Sequence, residues 1–286
     1  MAIFNVIDKH WKFLMLITIV FLLFSIGVIA NNIVTTGSFM KRDADLSGGR
    51  VITVEVNDVD LNKVQAAFPY ASVKIASGLT KSLIIEIPFD KDEKEVISQL
   101  GSIVQYKGQP NIRIVGPSLG NIFFQQTQLY LIIAFVLMAI TVFILFRSPV
   151  PASTVLLAAI TDIIGTIAVI SLIGVALSLP VFVALLTLIG YSVDTDILLT
   201  SELLKSGRHN YSESVKKAMK TGLTMTMTTL AALLAMYFVS GSLVIEQIAM
   251  VLIIGLCIDM PATWFTNSGF LRFWLERKAH KNENRL

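Results

Sequence analysis

Hydrophobic positions along the chain fall into two regimes. Six stretches, residues 13–30, 129–146, 154–175, 181–203, 223–239 and 244–265, are almost continuously apolar. A helix needs about 20 such residues to cross a hydrocarbon core of roughly 30 Å, so each predicts a transmembrane helix. Between the first and second the pattern shortens. In "GGRVITVEVND", Val51, Thr53 and Glu55 alternate with Ile52, Val54 and Val56, a period of two that predicts a strand. "DVDLNKVQAAF" starts acidic and carries Leu61, Val64, Ala67 and Phe68 at helical spacing. "ASVKIAS" and "KSLIIEIP" predict two strands around a "GLTK" turn. "DKDEKEVISQLGSI" predicts a second helix with Val96, Ile97, Leu100 and Ile103 on its apolar face, and "NIRIVGP" a closing strand. Strand, helix, strand, strand, helix, strand is the ferredoxin-like order. The expected architecture is a membrane all-α bundle of six transmembrane helices, with an α+β ferredoxin-like domain at residues 31–128 (core 48–117) between helices 1 and 2.

Composition agrees with this picture. With 54% hydrophobic and 15% charged residues and a mean hydropathy of +0.72, the chain is too apolar for a soluble domain. The formal charge of +3 is mild and gives no reason to expect nucleic acid. Its distribution is more informative, because Lys and Arg are held on the cytoplasmic side of short loops. Lys9 and Lys12 precede the first span, and Arg147 lies between the second and third. Lys205, Arg208, Lys216, Lys217 and Lys220 lie between the fourth and fifth, and Arg272, Arg277, Lys278, Lys281 and Arg285 follow the sixth. The connections "GVALSLP" and "SGSLV" contain neither residue. Both termini are therefore expected in the cytoplasm, with residues 31–128 outside, residues 129–271 holding helices 2–6, and 272–286 forming a basic tail. The apolar run of the first span exceeds the usual signal-peptide length and no clean small-x-small site follows it, so residues 1–30 are expected to include a retained anchor. The single Cys, Cys257, excludes an internal disulfide and a cysteine metal cluster.

The spans contain carboxylates. Asp194, Asp196 and Glu202 lie in the fourth, Asp162 in the third and Asp259 in the sixth. At a bilayer centre an acid costs about 2.5–3.5 kcal/mol on insertion scales, and such residues mark ion or substrate paths. At 1.5 Å per residue, Asp194 lies roughly 14 Å, Asp162 about 12 Å and Asp259 about 9 Å from the cytoplasmic ends of their spans, which makes one layer. No Lys, Arg or His shares it. Asp194 and Asp196 are about 200° apart around a helix, so only one can face the bundle interior while the other faces a partner or a Thr-rich neighbour. Burial without a cation favours the neutral acid, and a group poised that way can bind and release H⁺. Glu202, near Lys205, reads as a boundary charge. Gly165, Gly174, Gly190, Gly222 and Gly255 read as sites of close helix approach. The cluster Thr221, Thr224, Thr226, Thr228 and Thr229 either lines a wet path or bonds back to helix carbonyls.

Three segments, in order, carry a family resemblance: "DADLSGGRVITVEV", with Asp45, Gly48 and Gly49; "IGYSVDTDILLTSEL", with Gly190, Tyr191 and Ser192; and "AMKTGLTMTMTTLAALLAMYFVSG". Together they resemble the SecF branch of the SecD/SecF protein-export membrane proteins, part of the RND superfamily, and "VDTD" with "CIDMPATWF" resembles its archaeal members. The resemblance implies a non-enzymatic subunit without cofactor or metal. It would pair with SecD, six helices each, and assist a SecYEG-like channel in moving polypeptides across the cell membrane. In bacterial members polar residues of the fourth and fifth helices are thought to couple the work to proton flow. The bacterial acidic position falls on Thr195, between Asp194 and Asp196; the Arg ending that motif falls on Glu202; and the fifth-helix Arg falls on Thr221, beside Lys220. Candidate relay residues are therefore Asp194, Asp196, Asp162, Asp259 and Thr221.

Two other readings compete. Intramembrane aspartyl proteases also carry paired membrane aspartates, but here Tyr191 is separated from Asp194, "GLCID" lacks the second Gly of their motif, and "PAT" replaces their last one. A small RND-type exporter acting without SecD would need two related halves to build its site, and one six-helix half is present. In the intervening domain, Asp45, Gly48 and Gly49 read first as a turn. His, Ser and Asp do not cluster there, and no P-loop or GxGxxG occurs.

Overall fold

The computed structural model describes residues 2–77, 81–206, 211–240 and 242–283. The expected "GLTK" turn at 78–80, together with Arg208, His209 and Arg285, lies outside them, as do the side chains of Lys9, Lys278, His280 and Lys281.

Among the described residues, ten helices and four strands are laid out in chain order. Helix α1 (Ala2–Thr36) is broken at His10, and a short α2 (Ala44–Ser47) follows. Then come β1 (Gly49–Val56), α3 (Leu61–Ala67), β2 (Ser72–Ser77), β3 (Lys81–Pro88), α4 (Glu93–Ile103) and β4 (Tyr106–Val115). The remainder is helical: α5 (Pro117–Phe146), α6 (Pro149–Leu172), α7 (Leu179–Ser206), α8 (Tyr211–Val239) and α9 (Leu243–Pro261). A π-helical turn (Ala262–Asn267) joins α9 to α10 (Ser268–Glu283). Among the described residues, six helical segments are long and apolar enough to span a membrane: His10–Thr36, Pro117–Phe146, Pro149–Leu172, Leu179–Ser206, Tyr211–Val239 and Leu243–Arg277. They contain the six expected runs apart from a few residues at one end, and most extend well beyond them. Helix α5 begins twelve residues earlier than expected because Gly116 and Pro117 form its start, with Pro at a position where its missing N–H costs nothing.

The four strands form one antiparallel sheet in the order β2-β3-β1-β4. Ile52, Val54, Val56, Leu83, Ile85 and Ile87 point to one face. There they meet Val64 and Phe68 of the α3 segment and Val96 and Leu100 of α4, all buried. Asp60 and Asp92 cap the two helices by accepting from Asn62 N and Lys94 N. Strand β4 starts five residues before the predicted one. Its pairing with β1 shifts between Thr53 and Glu55, where Gly108 (φ +73°) and Pro110 sit. Pro cannot donate to a ladder and is tolerated at such an irregularity.

In the bundle α6 and α7 are central, each buried along much of its length, whereas α1 and α5 are mostly exposed, with their apolar faces free for lipid. Leu185, Leu188, Leu252, Leu256 and Ile170 form the main core. Close approach of helices uses glycine as expected at three positions. A Cβ on Gly255 would lie 2.6 Å from Leu188, one on Gly222 2.6 Å from Trp264, and one on Gly165 2.7 Å from Phe21. Gly190 and Gly174 have open space there instead, so the packing role expected of them is not met within the chain.

Candidate functional site: a buried carboxylate layer

Three aspartates from three elements are sealed in the bundle. Asp162 of α6, Asp196 of α7 and Asp259 of α9 are each no more than 1% exposed. Helix α7 turns Ser192, Thr195, Asp196 and Thr200 to one side, and all four are buried. Ser192 Oγ donates to Asp162 Oδ2. Thr195 Oγ1 donates to Asp259 Oδ2 at 3.3 Å, and Thr263 Oγ1 to Asp259 Oδ1 at 3.2 Å. Asn267 Nδ2 donates to Asp196 Oδ1 at 2.8 Å and reaches Thr200 Oγ1 at 3.5 Å. Thus hydroxyl and amide groups, not cations, provide these bonds. Asp162 Oδ1, Asp196 Oδ2, Thr266 Oγ1 and Asn267 Oδ1 are buried without a hydrogen-bond partner. Such groups are costly in a low-dielectric interior.

The π turn positions half of this layer. Pro261 interrupts the ladder of the last span, since it has no N–H to give, and residues 262–267 take the wider π geometry. That adjustment lets Thr263, Thr266 and Asn267 all face inward, buried to 2% exposure or less. Trp264 fits the space left by Gly222. Single π turns are frequent at functional sites. The helical segment long and apolar enough to span runs on to Arg277, so Asn267 falls inside it and Asp259 lies farther from its end than in a span ending at 265.

Two of the expected relay residues are not in this layer. Asp194 is exposed on the opposite side of α7, as the 200° separation from Asp196 requires. Thr221 is exposed on α8 with its hydroxyl bonded back to Lys217 O at 3.3 Å. Thr224, Thr226 and Thr228 also bond back within α8, which resolves most of that cluster in favour of local bonding. Thr229 is the exception and receives the Tyr191 hydroxyl at 3.0 Å. The Gly-Tyr-Ser motif is therefore divided: Ser192 enters the layer, Tyr191 ties α7 to α8, and Gly190 faces outward. Glu202 is at the boundary and pairs with Lys217 at 2.7 Å, not with Lys205. Asp43, rather than Asp45, caps α2; Asp45 pairs with Arg113 at 2.9 Å. Gly48 has φ +80°, and Gly49 lies where a Cβ would be 2.7 Å from Ile87 O. Sequence inspection missed Asn267 and Thr263. The available signal was a mid-span Pro followed by a polar run, "PATWFTNS".

Comparison with known proteins gives this geometry a family. Residues 95–277 match the model for "Protein export membrane protein SecD/SecF, C-terminal". The chain is 36% identical over 262 residues to the protein-export membrane protein SecF of Pyrococcus furiosus, covering 90% of this chain and 88% of that one. It is 35% identical to SecF of Methanocaldococcus jannaschii, with coverages of 85% and 90%. Among solved structures it resembles SecDF, a translocon-associated membrane protein from Thermus thermophilus, with a TM-score of 0.77 at 19% identity over 93% of this chain. The alignment takes in only 38% of the Thermus chain. A sequence match of this length, together with the shared fold, establishes that the chain belongs to the SecD/SecF family of protein-export membrane proteins, on the SecF branch.

Proposed function

We propose that the chain is the SecF-type subunit of a membrane assembly that assists protein export through a Sec-type channel, without catalysing a reaction itself. The observation that carries the coupling half of this reading is the buried layer: three carboxylates on three helices, bonded by hydroxyls and an amide, with Asp162 and Asp259 also bonded to each other. An intramembrane carboxylate is by default part of an ion pathway. Gain or loss of a proton at Asp162, Asp196 or Asp259 changes which of Ser192, Thr195, Thr263 and Asn267 can donate to it. That alters the fit of α6, α7 and α9 against one another. The same residues could hold the helices together as permanently neutral acids, and the experiment separates the two.

Residues 31–128 serve as a ferredoxin-like domain on the extracytoplasmic side, and both termini are cytoplasmic, an orientation supported by the Lys and Arg distribution. The partner is a SecD-related second half, a reading supported by a Thermus SecDF chain of which this chain matches only 38%. Its docking stripe on this chain is Val183, Thr187, Gly190 and Asp194, four exposed positions along one side of α7. Gly190 permits close approach, and Asp194 requires cover from lipid. The test is gradient-dependent export by Asp162→Asn, Asp196→Asn and the double variant, each assembled with its partner. Asn keeps shape and hydrogen bonding and cannot titrate. Loss of export with assembly intact is expected; wild-type export under the same gradient would reduce the layer to helix packing.

A further inference from the structure

The sheet domain joins the bundle through two covalent connections, at Gly48–Gly49 and Gly116–Pro117, and these cross at one point. A Cβ on Gly48 would lie 2.5 Å from Pro117 Cα, and one on Gly120 2.6 Å from Gly48 N. Away from that pivot the second face of the sheet is not packed tightly. A cavity of about 530 Å³ separates Val51, Thr53 and Ile84 of the sheet from Leu179, Val244 and Gln247 at the ends of α7 and α9.

Two ion pairs cross this gap. Asp45 on α2 meets Arg113 of β4 at 2.9 Å. Asp43, which starts α2, meets Lys74 of β2 at 3.7 Å. The bundle holds the Asp43 side rigidly: Asp43 N donates to Leu177 O at 2.8 Å, and Leu177 N donates to Lys41 O at 2.7 Å. Met40 and Leu46 on either side are buried in the bundle core. Lys74 Nζ also contacts Glu86 Oε1 on β3 at 2.6 Å. One ammonium therefore stands between two carboxyls, one from each body, and both acid side chains are only 10% exposed.

We propose that Asp43, Lys74 and Glu86 form a proton-binding latch that fastens the sheet domain to the membrane bundle and releases it when the proton leaves. This site is separate from the intramembrane layer and does not depend on it. With both carboxyls ionised the trio carries one uncompensated negative charge in a poorly solvated place; a proton on Glu86 removes it. Burial, and then the neighbouring Asp43, push Glu86 up to about 8, against the opposing pull of Lys74. Arg113 and Asp45 face the same gap and offset each other, with burial the larger influence in raising Asp45. Lys41 and Arg42 line a cleft on the far side of Glu86, and Glu246 of α9 lines a smaller one beside Lys74.

The sign follows from linkage. Glu86 binds its proton more tightly when the sheet is docked than at its ordinary value of 4.5. Docking is therefore strongest below that value and is lost as pH rises through about 8, the ratio of docked to undocked falling about tenfold per pH unit in between. Coupling of this kind is reciprocal, so pulling the sheet away from the bundle expels the proton.

The full chain in nanodiscs, in a Cys257→Ser background, tests this with spin labels at Leu61→Cys and Ile173→Cys, two exposed positions on opposite bodies. Between pH 6 and pH 8 the docked-to-undocked ratio should fall about fiftyfold, the slope flattening as pH approaches the docked value. Glu86→Gln should remove the pH response, and Asp43→Asn should weaken it by leaving Lys74 and Glu86 as a neutral pair while the burial of Glu86 remains. Carbon NMR of the Glu86 carboxyl should show it titrating near 8, and moving down in Asp43→Asn. Distances that do not change with pH in the parent, an unaltered pH response in Glu86→Gln, or a Glu86 midpoint at an ordinary carboxylate value would each overturn the latch.

Discussion

Asn267→Ala isolates what the π turn contributes. The Asn267 amide donates to Asp196 Oδ1 at 2.8 Å, and Asp196 Oδ2 has no partner. Removing the amide therefore strips this buried carboxyl of its donor at 2.8 Å, leaving the hydroxyls of Thr263 and Thr200 as the nearest replacements. An unsatisfied buried polar group costs about 1–3 kcal/mol in soluble proteins. Interhelical hydrogen bonds in membranes average about 0.6 and reach about 1.7 kcal/mol. The expected loss is thus about 1–2 kcal/mol, a 5- to 30-fold shift in the folded-to-unfolded ratio. Reversible unfolding in bicelles, followed by the fluorescence of Trp264 beside the turn, measures it. A double-mutant cycle with Asp196→Ala assigns it to the pair, because the Asn267→Ala cost should shrink by about 1 kcal/mol when its acceptor is gone. If the two losses add to within about 0.3 kcal/mol, Asn267 does not act through Asp196, and the inward-facing π turn is packing only.

Two further outcomes check the fold around the site. Gly48→Ala should destabilise the chain by at least about 1–2 kcal/mol from the left-handed backbone alone, and by more because the new Cβ meets the backbone of Pro117; a melting temperature equal to that of the parent would refute the crossing point. In a Cys257→Ser background, Asn62→Cys should react with a membrane-impermeant thiol reagent from outside the cell, and reaction from the cytoplasmic side alone would invert the orientation.

Much of the architecture was legible because two simple periods carry it. Continuous apolar runs give the spans, and alternation such as Ile52, Val54, Val56 gives the strands. Hydropathy did not find the ends. Helix α5 starts at Pro117 through a backbone signal, in a segment whose Asn121, Gln125, Gln126 and Gln128 look unlike a membrane span. The last span appeared to stop near Phe265 because polar residues follow, although those residues are polar since they face the carboxylate layer.

The choice between Asp194 and Asp196 was within reach of the sequence. Helical phase required that only one face inward, and the neighbours decide which. Stepping back from Asp194 by four, seven and eleven residues gives Gly190, Thr187 and Val183, the exposed stripe. Stepping from Asp196 by four in either direction gives Ser192 and Thr200, both buried and both hydroxyl-bearing. A carboxyl placed among hydroxyls on the heavily packed face of a helix has donors available from its own chain. A carboxyl beside an unfilled glycine does not, and at that depth water is not available to replace them. On the proposed assembly, Asp194, exposed on α7, takes its hydrogen bonds from the docked partner. The helical phase that puts Asp196 in an internal layer thus puts Asp194 on the stripe proposed for docking, where assembly would change its environment.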